Sequence, residues 1–437
     1  MSDPMSDRVS DPVSDRASDP VSGPMSSAPM RERMPERMPE RMPERMPEPV
    51  GERMPEPMHE QLRQPVQGAY GTGPGPEAHR SPAPAPARAL LPRRSGASGS
   101  ALARQRRRVA LLSAAAVVLL ALLLALGLSA GEVRVPPLDA LQALLGLGDS
   151  ADVMLVQELR APRAVAAIVA GAGLAVAGTL MQRVLRNPLA SPDVIGVTGG
   201  ASLGAVAVLA TGAPAALTPA GALGGGTVAA LLLAVLSWRG GVTVTRIVLV
   251  GLAVQQGLAA VVNLFIVRFP AELAADALQW TTGSVYGRTW TETGTGGALV
   301  LAGVVLALAG HRRLAVLDLG DESAGGLGIA PNAARLQLLL LAVLLASVAA
   351  ALTGPVGFVA LAVPHIVRFL AGPPTAGSLV LTALGGAVLL LASDLAVLHL
   401  LPVHGLPVGV VTATLGAPWL LVLMLRQLKP TTGSTAR

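Results

Sequence analysis

The chain has no cysteine and a single lysine, Lys429, in 437 residues. Without cysteine there is no disulfide scaffold, no thiolate metal site and no cysteine nucleophile. A phosphate-cradling loop needs Lys beside Ser or Thr behind a Gly-rich turn. Lys429 is followed by Pro430, so the chain does not bind and hydrolyse a nucleotide in that manner, and nothing in it suits Schiff-base chemistry. Aromatic residues are 2% of the chain and charged residues 14%. Basic faces interleaved with aromatics are absent, so no nucleic-acid partner is expected.

What is abundant is apolar and small. Hydrophobic residues make up 51% of the chain, with 49 glycines, and the mean hydropathy is +0.57. Ala, Leu, Val and Gly are the palette of closely packed membrane helices.

Composition changes near residue 108. Residues 1–108 hold 17 Arg and 14 Asp and Glu, about half of all charged residues. Ser-Asp pairs recur early, and Arg33-Met34-Pro35-Glu36 repeats four times through Glu48, then again at Arg53–Glu56. A proline every fourth residue removes the amide donors a helix needs. The segment buries too little apolar surface to offset its ordering entropy, so a disordered tail with polyproline-II character is expected. It reads as a tether or as a solvated extension without a task.

Arg104, Arg106, Arg107 and Arg108 precede an apolar run to about Leu128, long enough to cross hydrocarbon. Nine further runs follow at about 164–182, 194–212, 217–237, 245–267, 294–310, 335–354, 356–371, 378–397 and 406–425. The third, eighth and tenth are interrupted by Gly or Pro. The pattern predicts an all-α membrane protein of about ten transmembrane helices. An inside start places fifteen basic residues in inner loops and flanks against five outside, the asymmetry of the positive-inside rule. The expected divisions are a cytoplasmic tail, 1–103; a transmembrane domain, 104–430; and a short cytoplasmic tail, 431–437.

Several segments carry more than hydropathy. Residues 132–163 form an outer connection with a short amphipathic stretch, 138–145, and end Arg160-Ala161-Pro162-Arg163. Two outer arginines read as headgroup anchors or as a docking site for an acidic partner. Asn187-Pro188 closes one helix and Pro192-Asp193 opens the next, giving a tight inner hairpin. The longest inner loop contains Gly320-Asp321-Glu322-Ser323-Ala324 and then Leu327-Gly328. That spacing predicts a short helix from near Asp321, stopped at Gly328. No His or third carboxylate accompanies Asp321 and Glu322 at ligand spacing, so neither a metal nor a cofactor is expected there. Pro364 should kink its span. His365 and Arg368 share a face, and His365 also reads as a satisfied interfacial histidine. Asp394 is a carboxylate within a membrane helix, a functional candidate by its cost. His399 and His404 lack zinc-protease spacing.

Taken in order, five segments resemble the permease subunits of iron-siderophore, haem and cobalamin ABC importers, the FecCD family. They are Leu159–Arg163; Arg186–Ala190 with Pro192-Asp193; Gly320–Ala324 with Leu327-Gly328; Gly354–Val359 with Pro364-His365-Ile366 and Arg368; and Leu406–Ala413, which includes Pro407 and Gly409, with Gly416-Ala417-Pro418. The resemblance covers about 105–427. It implies a large-type ABC importer permease fold carrying a ferric siderophore or related metal chelate. It implies a second permease subunit, identical or paralogous, an ABC ATPase dimer below and an extracytoplasmic solute-binding protein above, all in membrane lipid. It makes Gly320, Asp321, Glu322, Ser323, Ala324, Leu327 and Gly328 the segment coupled to the ATPase, and Arg160 and Arg163 the docking residues. Asn187, Pro188, Pro364, His365, Arg368, Asp394, Pro407 and Gly409 become candidates for the path or its gating. Two departures stand out: Leu398 occupies a place usually held by Arg, and Gly405 one usually held by Glu. The competing expectation is a proton-coupled secondary transporter with Asp394 as relay, which would call for further intramembrane acidic or His partners. An intramembrane enzyme using His365 and Asp394 lacks a nucleophile turn.

Overall fold

The computed structural model describes residues 97–237, 244–401 and 406–427, all within one unit, Arg88–Arg437. The repeats before residue 97, the tail after 427, and His404 and Gly405 lie outside the described residues. Among the described residues there are helices and no strands. In chain order they are α1 (Ala97–Ser129), α2 (Pro137–Leu144), α3 (Ser150–Met154), α4 (Ala161–Val184), α5 (Pro192–Ile195), α6 (Val197–Ala210), α7 (Thr218–Ser237) and α8 (Val244–Arg268). There follow α9 (Ala271–Thr282), α10 (Trp290–Leu317), α11 (Asp321–Gly326), α12 (Pro331–Thr353), α13 (Val359–Ala371), α14 (Ala376–His399) and α15 (Val408–Gln427).

Seven segments are long and apolar enough to cross a membrane, and three shorter apolar helices lie in α6, α13 and α15. These ten match the ten apolar runs, and the three short ones are those interrupted by Gly or Pro. Each has a local cause. Gly196, at φ +91°, separates α5 from α6. Phe358, a non-glycine residue at φ +66°, precedes α13. The Leu406-Pro407 step precedes α15. Such backbone breaks survive at membrane depth only where protein surrounds them.

Two boundaries differ from the pattern. The α4 span starts earlier than residue 164, because α3 runs into it through a π-helical turn, Leu155–Arg160. That wider turn, with Pro162 among the first helical positions, accommodates the ring without breaking the axis. The α10 span runs from 290 to 317 rather than 294–310. Thr289 and Glu292 form a reciprocal capping box at its start. Helix α9, opened after Pro270 and closed at Gly283 (φ +81°), has no counterpart among the apolar runs.

The α4, α12 and α14 helices form the buried centre, with α1 and α8 the least covered. α4 touches α10, α12, α13 and α14, and α6 lies along α7. Small residues set these distances. A Cβ at Gly171 would overlap the carbonyl of Gly386 across the α4–α14 contact, and one at Gly204 would overlap that of Gly221 between α6 and α7. In lipid, association rests on such close approach because burial from water drives nothing between two apolar helices.

Candidate functional site

At the arginine-rich end of the bundle, α11 stands between α10 and α12. Gly320 (φ +107°) turns the chain into it and Gly328 (φ +77°) turns it out. The Ile329 amide donates to the Ala324 carbonyl at 3.0 Å, the closing bond of a Schellman stop. Only Ala324 of this helix is buried; Asp321, Glu322, Ser323, Leu327 and Gly328 are exposed. Leu319 and Leu327 show 66% and 64% of their surface, an apolar edge on both sides of the helix. Asp321 anchors it: Arg335 of α12 donates to its carboxylate at 3.0 Å, and Arg186 of the neighbouring hairpin lies 3.7 Å away.

That hairpin is itself braced. Buried Arg183 pairs with Asp318 at 2.6 Å. Arg186, held at the unusual φ of +48°, donates to the Leu317 carbonyl at 2.7 Å, relieving one of the acceptors left open at the end of α10. The Asn187 side chain accepts from the Leu189 amide at 2.9 Å, an Asx-type turn that shapes the Asn187-Pro188 corner. Pro188, Arg183, Arg186, Asp318 and Arg368 line one cavity of about 560 Å³, which thus gathers two predicted residues, Pro188 and Arg368. Asp193 follows in α5, with part of its surface open. Crowding by protein pushes its carboxyl up to about 6, opposed by a hydrogen bond from Thr198.

Pro364 lies inside α13 and has no amide to donate, which frees the Ala360 carbonyl. Gln182 of α4 fills the gap, donating at 3.3 Å to both Ala360 and Leu361. His365 is buried, with Nδ1 3.1 Å from the Leu361 carbonyl. The motif is thus a packed kink joined to α4. Sequence reading passed over Gln182, although an amide inside an apolar span is itself a signal. It also passed over Asp318 and Arg335, which look like ordinary flanking charges until the helices assemble.

At the opposite end, both arginines of the Arg160–Arg163 segment have internal partners. Arg160 donates to the Leu128 carbonyl at 2.6 Å and to that of Val133, closing the end of α1. Arg163 makes a bidentate pair with Asp394, Nε to Oδ2 at 2.9 Å and an Nη to Oδ1 at 2.8 Å. The Asp394 side chain is 4% exposed, and the Arg163 guanidinium also lies over the Tyr286 ring, 5.7 Å from its centroid. Asp394 and Arg163, expected in separate roles, therefore form one clasp between α4 and α14. Nearby, Gly409 abuts the Thr282 carbonyl so closely that a Cβ would overlap it. Pro407 precedes that contact, half-buried. Among the described residues, no three His, Asp or Glu side chains gather as a metal site.

Among the described residues, ten apolar helices, several packed through glycine, give a multi-pass membrane architecture. The FecCD transport family matches residues 119–426, and the chain belongs to that family. It is accordingly a transport subunit of the ABC-importer type and not an enzyme. It is 37% identical to the ferric enterobactin transport system permease protein FepG of Escherichia coli, over 69% of this chain and 91% of that one. It is 38% identical to the achromobactin permease CbrC of Dickeya dadantii, over 70% and 88%, and 35% identical to the hemin permease HmuU of Yersinia pestis, over 63% and 84%. Among solved structures it resembles an inward-facing metal-chelate-type ABC transporter, with TM-score 0.65, 26% identity, and coverage of 72% of this chain and 98% of that one.

Proposed function

We propose that this chain is one of two permease subunits importing a ferric siderophore or related metal chelate, energised by a separate ATPase dimer and supplied by an extracytoplasmic binding protein. The observation that carries the reading is α11. It is a short, solvent-exposed helix with Leu319 and Leu327 at its edges, tied through Asp321 to α12 and to the 186–196 hairpin. A partner pressing there would move several elements together. In this reading the arginine-rich end, with both termini, is cytoplasmic. Residues 1–103 form a tail, 104–430 the membrane domain and 431–437 a short extension. Gly320–Ala324, Leu327 and Gly328 receive the ATPase. Asn187, Pro188, Pro364, His365 and Arg368 serve movement at that end, and Pro407 and Gly409 at the other. Arg160 and Arg163 meet the binding protein by sharing guanidinium groups that already have internal acceptors, so they steer docking more than hold it. The proton-relay alternative loses ground because Arg163 occupies both carboxylate oxygens of Asp394.

The test is co-purification followed by uptake in proteoliposomes. An ATPase that copurifies and drives chelate entry on ATP hydrolysis is the expected result. Entry that follows a pH gradient and ignores ATP would overturn it.

A further inference from the structure

Three arginines, Arg183, Arg186 and Arg368, line the cavity of about 560 Å³ at the arginine-rich end, against one carboxylate, Asp318. Three cations facing one anion leave that wall with a net charge of +2. Arg183 and Asp318 neutralise each other at 2.6 Å, so the excess sits on the other two. The Arg186 side chain is 50% exposed. It spends one Nη on the Leu317 carbonyl, and the Asp321 carboxylate 3.7 Å from it is already held by Arg335. Arg368 is exposed, and no hydrogen bond or ion pair to its side chain is found among the described residues. A guanidinium carries five donors in a planar fork, so both arginines keep accessible donors at this wall. No residue of α11 lines the cavity, which is thus separate from the exposed face of that helix.

The rim points to what fills the space. Phe369 and Leu370, next to Arg368, are 69% and 43% exposed, so apolar surface adjoins the cationic wall. Gln105 of α1 donates to the Ala371 and Pro373 carbonyls at 3.2 and 2.8 Å, and Pro373 lines the cavity. That contact brings the start of α1, with exposed Arg106, Arg107 and Arg108, to the same loop. The apolar run of α1 begins at Val109, so this wall stands where hydrocarbon gives way to headgroups. Guanidinium groups match phosphate oxygens in a bidentate fashion, and a basic pocket between membrane helices suits an anionic headgroup. An acidic protein segment would satisfy the arginines but not the apolar rim, whereas a phospholipid meets both.

We propose that this cavity binds the phosphate of an anionic phospholipid, with Arg186 and Arg368 as its donors. A headgroup held there ties the 186–196 hairpin to the α13–α14 loop. The proposal needs the membrane architecture but not the identity of the transported solute.

The experiment titrates the full chain in mild detergent with phosphatidylglycerol and, separately, with phosphatidylcholine of the same acyl chains, counting bound lipid by native mass spectrometry. The first phosphatidylglycerol adduct should form at least about tenfold more tightly, the worth of one charge-assisted bond, and added salt should weaken that adduct alone. Arg368→Gln should weaken it by about tenfold and leave phosphatidylcholine binding unchanged. Arg368→Lys, which keeps the charge but not the fork, should recover part of the loss. Thermal melting checks that these variants are folded. Arg106→Gln, Arg107→Gln and Arg108→Gln together should cost less than Arg368→Gln alone, and excess inorganic phosphate should not displace the lipid. Equal binding of the two lipids, a preference indifferent to salt, a folded Arg368→Gln variant that keeps the preference, or a larger loss from the 106–108 replacements would each overturn the cavity as the site. Displacement by inorganic phosphate would overturn the lipid as its ligand.

Discussion

Asp193, in the inner hairpin, and Asp394, within α14, are both acidic residues, yet their neighbours differ. The Asp394 side chain accepts two bonds from Arg163. Removing one partner of a buried pair strands the other charge and costs about 3–5 kcal/mol, whereas an apolar pair of similar volume can be neutral. Asp394→Ala should therefore lower resistance to denaturation sharply, and Arg163→Met with Asp394→Leu should restore most of it. Equal losses in the single and double variants would contradict a clasp. No ion pair to Asp193 is found among the described residues, and crowding raises its pKa to about 6. A carboxyl raised in the fold favours the folded state while protonated. That contribution is present below the ordinary value near 4 and is lost as pH rises through about 6. Asp193→Asn should then be more heat-stable than the parent at pH 8, by at most about 3 kcal/mol for a two-unit shift, with the gap closing toward pH 4. A gap that stays constant across that range would remove the effect. The sequence offered both residues as acidic positions, but only the assembled helices distinguish them.

Among the elements, α11 was the most legible and α9 the least, while α13 was legible only in part. The short helix follows from local chemistry: carboxylates in its first turn and Gly328 at φ +77° past its end. Proline locks φ near −65°, so Gly328→Pro is incompatible with this stop. The expected result is an intact bundle that hydrolyses ATP with its partner but imports little chelate. Unchanged ATP-driven uptake would end the coupling role of α11. Deleting 321–325 should act in the same direction and also release Arg335 from Asp321. The α13 kink at Pro364 was readable in the sequence. Its completion by Gln182, 178 residues from the freed Ala360 carbonyl along the chain, was not, because nothing local says which helix supplies the missing donor.

For the whole molecule, the number of apolar segments, the interruption of three of them and the family pattern were all present in the order of residues. Hydrophobic periods and turn chemistry act over a few positions, so they survive in one dimension. The same holds for the absence of a phosphate-cradling lysine motif. The roles of charged groups did not survive in that way. Arg160 and Arg163 look like free outer charges when counted along the chain, yet they close α1 and clasp α14. Arg183, counted as a flanking charge, is a buried brace to Asp318. The cavity lined by Arg186 and Arg368 also has no linear signature, because its wall combines α4, the end of α10 and α13. Spans and punctuation are written locally by hydropathy, glycine and proline; which charge meets which, and what space remains between helices, depends on close packing of segments far apart in the chain, and only the tertiary structure decides it.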